Sequence, residues 1–209
     1  MRYSRPRHRR GSRQGQAAQG LVEFALVGGL FFFLIFSIVN GAFFLYGRGA
    51  IEHAADVGVA TLAAEGNCNG GPNCLLSNAD QVAISRMGAA GLTTTALFTV
   101  TEIDIYRETQ NANGTLSDDT TCNSTTNPPF ASPDTGGTTL CENRYMTNGA
   151  QIGGSLPWPP SARNVTQGSS DFARLVVTYR YSLLVTSGSF TLSTDNVFRL
   201  EPQVLVPTS

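Results

Sequence analysis

QGLVEFALVGGLFFFLIFSIVNGAFFLY, residues 19–46, decides how the rest of the chain is read. From Phe24 to Tyr46 it runs 23 residues with no formal charge and one side-chain amide, Asn40. As a helix, rising about 1.5 Å per residue, it covers roughly 35 Å, enough to cross a bilayer core with some tilt. Arg48 ends it. A secretory signal has a shorter apolar region of about 7–15 residues, followed by a small-x-small cleavage site. Here the run is longer and bulkier, and Asn40-Gly41-Ala42 is followed by further apolar residues. A retained anchor is therefore expected. Gly28, Gly29 and Gly41 suit either close helix contact or plain lipid-facing filler, and both readings stay open. Glu23 is the one carboxylate in the stretch. Such a group beside hydrocarbon is costly and marks a functional position, unless it lies in the headgroup zone.

Upstream, residues 1–20 hold six arginines (Arg2, Arg5, Arg7, Arg9, Arg10, Arg13) and no acid. From Gly47 onward there are eight arginines against fourteen acids, a net of −6. A basic head on an acidic body is poor evidence for nucleic-acid binding, which, with an acidic partner, is the alternative reading of such a tail; no nucleic acid is expected. The asymmetry argues for orientation, because arginines flanking a span stay on the cytoplasmic side. The expected organisation is a basic cytoplasmic leader at 1–18, a transmembrane helix at 19–46, its extracytoplasmic continuation at 47–66, and an extracytoplasmic head at 67–209.

Beyond the span the helical period persists. Ile51, Ala54, Ala55, Gly58, Val59, Leu62 and Ala63 recur at three- and four-residue steps, with Glu52, His53, Asp56 and Glu65 largely between them. One helix is predicted from about Gly20 to Glu65, stopped by Gly66-Asn67. His53 reads as solvated. Four cysteines follow, Cys68, Cys74, Cys122 and Cys141, an even number that allows three pairings. The tight CNGGPNC loop favours local pairs, 68–74 and 122–141. Disulfides belong to an oxidising compartment, which agrees with the arginine orientation. A zinc site lacks ligands, since His8 and His53 are the only histidines and there is no CxxC pair.

The head reads as α+β. Ser77-Asn78-Ala79-Asp80 starts a helix running to about Gly91, with Asp80 suited to its first turn. Ala96–Arg107 alternates as a strand whose phase slips between Val100 and Ile103, which predicts a bulge or an edge. Residues 109–170 are rich in Asn, Thr, Gly, Ser and Pro and read as a long excursion, either a surface feature stapled by Cys122 and Cys141 or a partly flexible insert. Trp158 is expected to pack that insert onto the sheet. Phe172–Val185 is the clearest strand. Gly188 separates it from Ser189–Ser193, and Asn196–Val206 reads as the last strand. Three or four antiparallel strands against the emergent helix suffice for a small head.

No phosphate loop, HExxH or nucleophile elbow occurs. Asp118-Asp119 read as solvated turn acids, and Glu102 and Asp104 as sharing a solvent-facing strand face. No enzyme activity, cofactor or metal is expected.

The stretch Arg13 to about Ala64 resembles a known family. Arg-x-Gly-Gln-x-x-Gln-x-x-Val-Glu-Phe-Ala-Leu (residues 13–26), a span, and then AIEHAADVGVATLAA (residues 50–64) resemble the TadE/TadG-like minor pilins, or pseudopilins, of the Tad (tight-adherence) pilus. Val197–Glu201 is similar to the closing strand of that family. The resemblance implies a pilin-like fold, with the long helix packed on a small antiparallel sheet. It also implies a single-pass protein of the bacterial cytoplasmic membrane, able to leave it in a pilus. The implied partners are other pilin subunits, a prepilin peptidase and an inner-membrane assembly platform. It implies cleavage that leaves Glu23 fifth in the mature chain, where it meets the freed amino group of a neighbour and sets register. That requires a cut between Ala18 and Gln19, with alanine where the family has glycine. Cutting after Gly15 would put Glu23 eighth, and after Gly20 third. The rival reading is a permanently anchored extracytoplasmic binding, adhesion or assembly protein.

Overall fold

A computed structural model describes residues 12–66, 78–93, 97–120, 130–131, 139–152, 158–167, 169–184 and 187–201, with side chains from Gln19 onward except at 130–131 and 139–140. Contacts divide the chain into two units, Met1–Phe43 and Phe44–Ser209. The fold is α+β.

The first unit is helical from Ser12, the start of α1 (Ser12–Glu65). Its most apolar window has a mean hydropathy of 2.4, and none of that window is buried within the chain. Leu21, Phe24, Phe33 and Ile38 are all largely exposed. The Ser37 hydroxyl donates to the Phe33 carbonyl at 2.8 Å, so this polar group is satisfied one turn back along the helix. The helix is long and apolar enough to cross a membrane.

The second unit begins on the same helix at Phe44. α1 ends at Glu65, before the turn at Gly66. Ile51, Ala54, Ala55 and Leu62 are at most 1% exposed, and His53 and Asp56 lie on the exposed side. Small residues let this face come close to its neighbours. A Cβ on Gly47 would stand 2.1 Å from Cε2 of Phe98, and one on Gly58 would stand 2.5 Å from Sδ of Met87. α2 (Ala79–Ala89) is capped by Asn78, whose Oδ1 accepts from the Asp80 amide at 3.0 Å. Its buried stripe of Ala79, Ala83, Ile84 and Met87 joins the same core.

The strands are β1 (Phe98–Gln110), β2 (Leu116–Asp118), β3 (Phe130–Ala131), β4 (Thr139–Leu140), β5 (Glu142–Tyr145), β6 (Phe172–Ser182) and β7 (Ser189–Arg199). The main sheet is antiparallel in the order β2-β1-β6-β7, with β5 pairing β1 as well. β6 occupies one edge of β1 along Phe98–Glu108. β5 and β2 share the other edge, at Ile103–Tyr106 and Glu108–Gln110. β3 and β4 form a separate two-stranded ribbon. A short 3-10 turn spans Pro160–Ala162. Ile103, Ile105, Leu175, Val177, Tyr179 and Phe98 form the sheet's contribution to the core.

The slip in β1 is a bulge, with the register shifting between Val100 and Glu102. The skipped residue, Thr101, donates its hydroxyl to the Thr178 carbonyl at 3.1 Å, so the extra residue is still tied to the partner strand. Two boundaries differ from the sequence reading. β6 stops at Ser182 because the Leu183 amide turns to the Gly188 carbonyl at 3.0 Å and closes a hairpin. The last strand is one continuous β7 rather than Ser189–Ser193 and Asn196–Val206. Its polar residues are held in line by an unbroken register with β6, from Phe172 opposite Arg199 to Ser182 opposite Ser189. Residues 202–206 lie outside the described residues. Two strands from 109–170, β2 and β5, belong to the main sheet. Their short length and polar composition hide that from a periodicity reading.

Candidate functional site

Glu23 sits on the exposed surface of α1, and the Gln19 side-chain amide donates to its carboxylate at 3.2 Å. The two are one helical turn apart, so the geometry follows from helix periodicity alone. Nothing lies within 4 Å of a Cβ built on Gly20, Gly28, Gly29 or Gly41. At these four positions no other described part of the chain packs against α1. Ala18 and Arg13 are helical residues of α1, while Arg5, Arg7, Arg9 and Arg10 lie outside the described residues.

In the second unit the structure gathers polar residues that the sequence left scattered. On the helix-facing side of the sheet, Asp80 is fully buried and held bidentately by Arg163, at 2.6 and 2.7 Å. The Tyr145 hydroxyl donates to the same carboxylate at 2.8 Å and Asn143 at 3.0 Å. Arg163 also donates to the Gly66 carbonyl at 2.8 Å and lies 4.6 Å from the centre of the Trp158 ring. Asn143 completes the cluster by pairing with the Trp158 backbone, accepting at 3.0 Å and donating at 2.6 Å. Burial, the Asp80 carboxylate and the hydrogen bond to it push the Tyr145 phenol far above its ordinary range, so it acts here only as a donor. This cluster ties the end of α1, the start of α2, β5 and the Trp158 segment together. Trp158 is fully buried, as its packing role requires.

The opposite face of β1 is also charged and covered. Arg144 pairs with Glu102 and lies 3.6 Å from Asp104 and 3.9 Å from Glu142. Arg174 binds Glu108 at 2.7 Å, pairs with Asp118, and lies 4.6 Å from the Tyr106 ring centre. On the Ile103–Ile105 side of the strand, by alternation, Arg107 bridges Asp119 at 3.0 Å and Asp171 at 3.2 Å. Two expectations are corrected here. Asp104 is not solvent-facing, since only 1% of its side chain is exposed. Asp119 is not a solvated turn acid, since it is 8% exposed and ion-paired. Both were misread because the arginines that cover them stand 40 and 12 positions away in sequence. A cavity of ≈ 560 Å³ opens beside Asp104, Tyr106, Val176, Thr178 and Thr191. Burial and the nearby Asp104 and Glu142 carboxylates push the Tyr106 phenol well up, so Tyr106 presents an un-ionised hydroxyl to the cavity. Among the described residues no group of three His, Cys, Asp or Glu side chains is arranged to hold a metal ion.

Cys141 is disulfide-bonded. Cys68, Cys74 and Cys122 lie outside the described residues, and so do the expected pairings.

Residues 18–60 match the family model described as TadE-like protein. No curated protein and no solved structure matches the chain. A TadE-like domain implies a Tad pilus-associated protein, and the membrane-anchoring helix it implies corresponds to α1.

Proposed function

From the TadE-like domain at residues 18–60, we propose that this chain is a minor pilin or pseudopilin of a Tad-type pilus or secretion apparatus. Its basic leader stays in the cytoplasm, α1 crosses the membrane, and the α+β head lies outside. A prepilin peptidase cuts between Ala18 and Gln19, and an inner-membrane platform moves the mature subunit toward a filament of pilin subunits. The observation that carries the reading is where the match falls. It begins at Ala18, takes in Gln19 and Glu23, runs through the apolar segment, and ends within the part of α1 that packs in the head core.

In this reading Glu23 faces the new amino group of a neighbouring copy. Opposite charges at low dielectric attract strongly, and each is penalised if buried alone. The pair therefore selects one axial register out of many that apolar packing would tolerate. Disulfides at 68–74 and 122–141 would suit a head outside the cytoplasm.

The test is the mass of the mature amino terminus in protein taken from its own membrane, with and without Glu23→Gln. A chain starting at Gln19 in both, with assembly lost only in the variant, is the expected result. The second reading is an anchored binding, adhesion or assembly protein that never enters a filament. It is favoured by Ala18 standing where the family has glycine, and an intact leader would select it.

A further inference from the structure

The end of the head nearest Phe44 is built unlike the rest of it. The Phe44 ring lies 5.2 Å from Tyr181 and 6.2 Å from Phe98, and the Phe98 and Tyr181 rings are 4.8 Å apart. Strand register places Phe98 opposite Tyr181 and Tyr181 opposite Phe190. Just beyond Ser182 the β6–β7 hairpin closes through the Leu183 amide and the Gly188 carbonyl. So the hairpin end lies beside the turn of α1 in which the apolar run finishes.

This end keeps large apolar groups in the open. Phe190 is 55% exposed, Leu184 48%, Leu45 69% and Tyr46 75%. Phe44–Gly47, Leu97–Thr101, Tyr181–Leu184 and Ser187–Thr194 contain no formal charge. The first charges met on α1 and β6 are both arginines, Arg48 and Arg180, and both are exposed. Apolar tip, aromatic layer and then arginine is the order a membrane–water interface selects: rings sit at the headgroup level, and guanidinium groups reach the phosphates beyond.

We propose that the β6–β7 hairpin end, through Leu184 and Phe190, is seated in the acyl–headgroup boundary of the bilayer that α1 enters. The head is then held against lipid at a second point, in addition to its helical tether. The proposal rests on reading the apolar run of α1 as a membrane span. What selects lipid over another occupant is continuity: Phe190 pairs across the strands with Tyr181, whose ring meets Phe44 in the last turns of that run.

The experiment uses the full chain in vesicles of phosphatidylethanolamine and phosphatidylglycerol containing lipids brominated near the carbonyl or near mid-chain. Tryptophan is introduced as Phe190→Trp, as Leu184→Trp, or as Phe33→Trp within the run. Emission is read as the difference from the unsubstituted chain, whose Trp158 is buried in the head. The expected result is loss of emission at 190 and 184 with the shallow bromines, and at 33 with the deep ones. Loss at 33 alone, with 190 and 184 open to aqueous iodide, overturns the proposal and leaves the span intact. No loss at any position overturns both. Shielding at 190 without bromine quenching, relieved on dilution of protein in lipid, assigns the patch to a second copy and also overturns it.

Discussion

At Asp80 a fully buried carboxylate receives two bonds from Arg163, one from Tyr145 and one from Asn143. Removing one partner strands a charge where water cannot reach it. Asp80→Asn is expected to cost about 3–5 kcal/mol in urea unfolding of the detergent-solubilised protein. Adding Arg163→Met should recover part of that loss, because the uncompensated cation goes too. Glu108 supplies a pH-dependent counterpart. Burial raises its pKa above the ordinary 4.5, with Asp118 adding to the rise and Arg174 opposing it. A carboxyl with a raised folded-state pKa binds protons more readily folded than unfolded. Its contribution therefore turns unfavourable as pH climbs above 4.5 and is fully so above the folded value. Glu108→Gln should abolish that fall, leaving a flatter melting temperature between pH 4.5 and neutrality. An unchanged slope would remove Glu108 from the account.

At the scale of elements, the second half of α1 depends on how closely it approaches its neighbours. Gly47 leaves no room for a methyl beneath Phe98, and Gly58 none beside Met87. Gly58→Ala and Gly47→Ala are each expected to destabilise the head by about 1–3 kcal/mol through overpacking, seen as a lower melting temperature. Gly88 in α2 is the control, with nothing within 4 Å of an added Cβ. There Gly88→Ala should stabilise by roughly 0.5–1 kcal/mol through helix propensity alone. If all three variants behaved alike, close approach would not be the reason for glycine at 47 and 58.

For the whole molecule the governing feature is the asymmetry between a bare apolar helix and a head crossed by ion pairs. Six arginines precede the apolar run and fourteen acids follow it; in the proposed topology this keeps the amino terminus in the cytoplasm. Protease added outside spheroplasts should digest the head and spare a fragment containing residues 19–46. Complete protection would reverse the topology. A C-terminal reporter active only outside the cytoplasm gives the same reading without proteolysis.

The amino-acid sequence by itself determined the elements whose signals are local. The apolar half of α1 needs only an uncharged run, the rest of α1 only a repeated apolar step, and the β1 bulge only a slip in alternation. Glu23 and Gln19 are neighbours because any helix makes them so. Tertiary structure alone decided the rest. Nothing local tells Asp104 that Arg144 will cover it, or Asp80 that Arg163 and Tyr145 will surround it. Polar β7 becomes one strand, and the short β2 and β5 become part of the sheet, because their order comes from backbone pairing with β6 and β1. Whether a charged group ends in water or in a buried pair depends on which partner the fold delivers, and that partner lies far along the chain.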